Sequence, residues 1–146
     1  LGATLWLSGS ALALSLLVGP PIGLVAGVRR GGWVDNASLA GAIVLRSLPP
    51  FVLGLLLILV FAMLLGLFPP AGYGTWRDLA LPALTLALGL AAVSSRVARD
   101  AVAAVARAPY LAFARLKGLP EPVVVRRHVL RNAAIPVISY LALQAI

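Results

Sequence analysis

Four stretches of this chain carry no charged side chain, and their length limits its possible folds more than any other feature. Thr4 to Val28 contains no Asp, Glu, Lys or Arg. At about 1.5 Å per residue, a helix over that run exceeds the roughly 30 Å hydrocarbon core of a bilayer. Leu48 to Trp76 is a second uncharged run, densest from Phe51 to Phe68, and Leu79 to Ser95 is a third. Ala133 to Ile146 begins a fourth. Charged residues make up 11% of the chain and hydrophobic ones 62%, whereas a soluble domain is about a quarter charged. Too little polar surface remains to cover four such runs as the buried helices of a water-soluble core. The expected fold is all-α, a polytopic transmembrane helical bundle with about four spans, at 4–28, 51–68, 79–95 and 133–146. The chain opens and stops inside apolar runs and its only Met, Met63, is internal, so it reads as a piece of a longer protein.

The charges orient these spans. Arg29 and Arg30 follow the first, and Arg96, Arg99, Arg107, Arg115, Lys117, Arg126, Arg127 and Arg131 follow the third, so ten of the twelve basic residues lie on one side. The connection between spans two and three holds only Arg77, balanced by Asp78, while Arg46 sits near the start of span two, toward the basic side. This is the positive-inside pattern. It places 29–37 and 96–132 in the cytoplasm and 69–78 outside. The net charge of +8 therefore reflects topology and not nucleic-acid binding. Trp33, Tyr73 and Trp76 fall at span ends, where aromatic rings favour the interface.

Within span one, Gly19, Gly23 and Gly27 repeat every four residues on one helix face, a pattern that lets two backbones pack closely in lipid. Pro20 and Pro21 predict a kink in the same helix. Ser47-Leu48-Pro49-Pro50 separates a short helix near 36–47 from the span that follows.

Little in the spans supports catalysis. The four acidic residues, Asp35, Asp78, Asp100 and Glu121, lie at or beyond span ends. His128 is the only histidine and there is no cysteine, which leaves no histidine or thiolate cluster for a metal. No catalytic residue, metal site or cofactor is expected, and the chain does not read as an enzyme. Ion-coupled carriers place polar or ionisable ligands within their spans, and here these are confined to groups such as Ser8, Ser10, Ser15 and Thr85. A phosphate-binding G-x-x-x-x-G-K-[ST] loop is also missing from the sequence. The energy for transport is then expected from a separate subunit. An ion-coupled secondary transporter or channel is the alternative, as is a membrane scaffold whose basic loop binds anionic lipid.

The basic connection from Arg96 to Asn132 is too long for a simple linker. Pro109 suits the first turn of a helix, Tyr110 to Lys117 supplies about two turns, and Gly118 suits the C-terminal cap, followed by Pro120 and Pro122. Val123 to Asn132 rebuilds a basic helix leading into span four. Tyr110, Leu111 and Phe113 would be apolar knobs in need of lipid, bundle or partner.

At this connection the sequence resembles the permease subunits of ABC importers. Ala112-Phe113-Ala114 followed by Gly118 is similar to their EAA loop, and Ala114-Arg115-Leu116-Lys117-Gly118-Leu119, Arg127-His128-Val129-Leu130-Arg131-Asn132-Ala133 and Pro136 resemble the dipeptide, oligopeptide and nickel subfamily. Leu48-Pro49, Leu53 to Ile58, Gly72-Tyr73-Gly74 and Leu79 to Thr85 extend the likeness upstream. The sequence departs from the family at Ala112, where the loop's acidic residue would stand, and at Pro109, where an acidic residue commonly precedes the tyrosine. The resemblance implies a MetI-like permease in a bacterial or archaeal cytoplasmic membrane, pairing with a homologous but different second permease. It also implies cytoplasmic ATP-binding subunits, an extracytoplasmic substrate-binding protein, and solutes such as peptides or nickel. Tyr110, Leu111, Phe113, Ala114, Arg115, Lys117 and Gly118 are then expected to contact the ATPase.

Overall fold

The computed structural model describes residues 2–72 and 74–144. The interfacial placement of Tyr73, and Ala145 and Ile146 of span four, lie outside the described residues. All regular structure among the described residues is helical. Helix α1 (Gly2–Val28) continues unbroken through Pro20 and Pro21, so the two prolines do not end it. Helix α2 (Trp33–Ser47) follows a turn in which Gly31 takes φ +79. Helix α3 (Pro50–Leu57) continues as π-helical turns over Ile58–Leu64. Helix α4 (Trp76–Ala106) and the short α5 (Pro109–Leu116) come next. Helix α6 (Glu121–Val124) passes through π-helical Val125–Leu130 into α7 (Arg131–Gln144).

Two helices, α1 and α4, are long and apolar enough to cross a membrane alone. The 27 residues of α1 and 31 of α4 correspond to about 40 and 46 Å. Trp33–Ser47 and Pro50–Leu64 meet this test only as a pair, bent by 105° at the intervening break. The second span was expected as a helix near 51–68; the helix ends at Leu64, and α2 belongs to the same apolar unit. The third uncharged run ends at Ser95, and α4 continues beyond it to Ala106. Charge at Arg96, Arg99 and Asp100 marks where lipid contact becomes costly, but helices stop at breakers. The Ala- and Val-rich stretch 97–106 contains none, and Pro109 is the first.

The bundle is organised by α1 against α4. Gly19, Gly23 and Gly27 lie along the contact, where an added Cβ would collide with Ser94 Oγ, the Ser95 carbonyl oxygen and Val102 Cβ respectively. The partners advance with the glycines, so the two helices run parallel. The buried α4 side chains on this face are small: Ala87, Ala91, Ser94, Ser95 and Ala98. Ser94 and Ser95 donate their hydroxyls to the carbonyls of Ala91 and Ala92 in their own helix. They thereby enter an apolar contact without leaving an unsatisfied donor. At its N-terminal end, α4 is capped by Asp78, which accepts from both the backbone N–H (2.9 Å) and the hydroxyl (2.8 Å) of Thr75.

Candidate functional site

Nearly all the basic residues gather at the end of the bundle where α1 stops, α2 starts and α4 runs on. The principal polar tie there joins α2 to α4. Arg99 donates from Nε to Asp35 Oδ1 and from Nη2 to Oδ2 at 3.0 Å. The Asp35 carboxylate also accepts the Gly31 backbone N–H at 2.9 Å. Asp35 is almost wholly buried. Hydrogen bonding from Arg99, aided by Gly31, lowers its carboxyl to about 2 despite burial, so the pair stays ionised at neutral pH. A buried, bidentate guanidinium–carboxylate pair resists disruption chiefly because removing one member strands the other charge.

Beyond Ala106 the chain turns at Ala108, whose backbone is extended, and Pro109 opens α5. One face of α5 is inward. Leu111 is fully buried and Ala114 nearly so, packed with Val102 of α4 and with Val124, Val129 and Ala133. The other face is outward: Phe113 is 66% exposed and Leu116 83%. Tyr110 stands between the two faces, its hydroxyl accepting from Asn132 Nδ2 at 2.8 Å. Gly118 ends the helix in the left-handed region at φ +76. Its N–H reaches the Arg115 carbonyl at 2.9 Å, and the Leu119 N–H reaches that of Ala114 at 3.4 Å. This is a Schellman closure, which favours glycine at that position. Nothing lies within 4 Å of a Cβ built there, so the preference comes from backbone conformation and not crowding. Arg115 then grips Glu121 across the turn, Nε to Oε2 at 3.1 Å and Nη2 to Oε1 at 2.9 Å. The hydrogen bonds from Arg115 hold the Glu121 carboxyl below its ordinary range.

The seven residues expected at a partner contact therefore divide. Leu111 and Ala114 turn into the protein, and Arg115 is engaged with Glu121. Tyr110, Phe113, Lys117 and Gly118 stay exposed. Leu116, the most exposed apolar side chain of the helix, was absent from the expected set, although its three-residue spacing from Phe113 puts it on the same face. Asp35 and Arg99 could not have been paired from sequence, since 64 positions separate them.

An apolar helical bundle with a short surface helix anchored at its basic end defines a polytopic membrane protein, and no group of three or more metal-ligating side chains comes together among the described residues. Residues 19–146 match the family of the binding-protein-dependent transport system inner membrane component, and the chain belongs to that family. It is 40% identical over 141 residues to the glutathione transport system permease protein GsiC of Pectobacterium atrosepticum, and equally to that of Escherichia coli K12. Each alignment covers 97% of this chain and 46% of the relative. The chain thus spans a little under half the length of the curated relatives it matches.

Proposed function

We propose that the protein containing this chain is a permease subunit of an ATP-driven importer, and that α5 transmits the movement of a separate ATPase to the spans. The observation that carries the reading is the two-sided build of α5. Leu111 and Ala114 tie it to α4 and to the helix entering α7, while Phe113 and Leu116 present uncovered apolar surface. A helix rigidly attached on one face and apolar on the other suits docking into a partner's groove. Contact is assigned to Tyr110, Phe113, Leu116, Lys117 and Gly118, with Leu111 and Ala114 as anchors and Arg115 as a brace to Glu121. In this reading 29–37 and 96–132 face the cytoplasm and 69–78 faces outward. A homologous second permease completes the pathway, and an extracytoplasmic binding protein delivers the solute. Membership of the family and the basic end of the bundle support this arrangement. The solute class is peptides, nickel complexes or similar small molecules, and the relatives named for glutathione transport favour a small peptide.

Gly118→Leu is the direct test. Forcing a branched side chain into the left-handed region costs about 1–2 kcal/mol and should shift the turn that sets α5 against Glu121. In the assembled transporter, ATP hydrolysis should persist while uptake falls, with membrane insertion unchanged. Unaltered uptake would remove the coupling role from this turn.

A further inference from the structure

Arg46 does not belong to the basic end of the bundle. Helix α2 runs back along α4 from the Asp35–Arg99 pair. Near its end, Leu45 shares an apolar cleft with Leu88 and Ala91. Just past the break, Pro50 lines another cleft with Leu12, Leu86 and Gly89. Arg46 is therefore bracketed at the level of residues 86–89 of α4. That level is about 18 Å along the helix from Trp76 and about 16 Å from Arg99. It also faces the uncharged interior of α1. Arg46 is exposed there and pairs with no carboxylate among the described residues.

The backbone at this level is also unsatisfied. Helix α2 ends at Ser47, and the residues that would bond the Leu45 and Arg46 carbonyls are Pro49 and Pro50, which have no N–H. An unpaired guanidinium and two free carbonyls at mid-bilayer depth are not tolerated against hydrocarbon. Charged groups and irregular backbone occur at that depth where they are buried in protein or line a water-filled cavity, and Arg46 is exposed.

We infer that Arg46 and the broken backbone beside it line the solute pathway, with the guanidinium binding a carboxylate of the passing solute and the carbonyls accepting its N–H groups. This rests on the permease reading and narrows it to anionic peptides. A guanidinium holds a planar carboxylate through paired hydrogen bonds, and a peptide supplies both the carboxylate and the N–H donors.

The test uses the full-length protein in its complete transporter, reconstituted in proteoliposomes. Arg46→Cys and Leu17→Cys are treated with the hydrophilic, anionic 2-sulfonatoethyl methanethiosulfonate, against the complex without an added thiol. Leu17 is also exposed and lies in the uncharged interior of α1. Labelling of Arg46→Cys but not Leu17→Cys is expected. Labelling of both alike, or of neither, overturns the pathway assignment. Uptake of glutathione is then compared with uptake of the same tripeptide amidated at both its glycine and its γ-glutamyl α-carboxylates. Arg46→Gln should lower uptake of the acid about tenfold or more relative to the amide, and Arg46→Lys should restore part of the difference. An equal loss for both, or none, overturns the carboxylate role. If the unaltered transporter moves neither compound, the peptide reading itself fails, an outcome separable from failure at Arg46 alone.

Discussion

Gly23 shows how much one absent methyl group permits. The Ser95 carbonyl and Ala98 Cβ occupy the space an alanine Cβ would need, and a backbone carbonyl in a helix cannot swing aside as a flexible side chain could. Gly23→Ala should therefore push α1 from α4 and destabilise the protein by about 1–3 kcal/mol, the usual range for overpacking. Gly9, in the same helix, has nothing within 4 Å of its built Cβ. Gly9→Ala should be neutral or slightly stabilising, because alanine is the better helix former. Thermal unfolding of the purified full-length protein in detergent would compare the two, and equal effects would mean that α1 and α4 are not in close contact. Gly118 differs in kind: its surroundings are open and its constraint lies in φ alone.

At the scale of the element, α5 has only eight residues, too few to persist as an isolated helix. Its stability comes from the cluster around Leu111, so the two faces should respond differently to truncation. Leu111→Ala should cost about 2–5 kcal/mol by leaving a cavity beside Val102 and Val124. It should loosen the helix, seen as faster proteolysis between α4 and α6. Phe113→Ala should leave protease resistance nearly unchanged and weaken co-purification of the ATPase. A uniform loss of protease resistance in both variants would contradict the division into anchored and presented faces. The same dependence on packing explains why α4 outlasts its lipid-compatible stretch: its last turns carry Val102 and Ala103, both buried.

At the scale of the whole molecule, the described residues form no continuous polar shell. Trp6, Leu17, Phe51, Met63, Ile135 and Ile138 are all more than 60% exposed, on α1, on α3 with its π-helical turns and on α7, and such surface is stable only against lipid or further protein. The proposed orientation makes a definite prediction. A cysteine at Arg30 should react with a membrane-impermeant maleimide only when the cytoplasmic side is accessible, as in inverted vesicles. A cysteine at Ala71 should react in intact spheroplasts. These 146 residues contain no cysteine, any cysteine elsewhere in the protein is first replaced by serine, and a reversed pattern would invert every assignment of side.

The sequence alone determined the class of fold, the family and the collection of the basic residues at one end of the bundle. These depend on quantities that add up along the chain: apolar length against bilayer thickness, and lysine and arginine counts between spans. Local chemistry was equally legible where it involves only neighbours, as in Pro109 opening α5, Gly118 closing it, and the break after Ser47. The tertiary structure decided what depends on distant partners. It carried α4 on to Ala106, joined Asp35 to Arg99, and turned Leu111 and Ala114 inward while leaving Leu116 exposed. It also carried Arg46 away from the basic end to the middle of the bundle. A helix's periodicity shows which residues share a face, but only the packing of α1, α2, α4 and α7 decides which face is covered, because burial is a property of two surfaces and not of one.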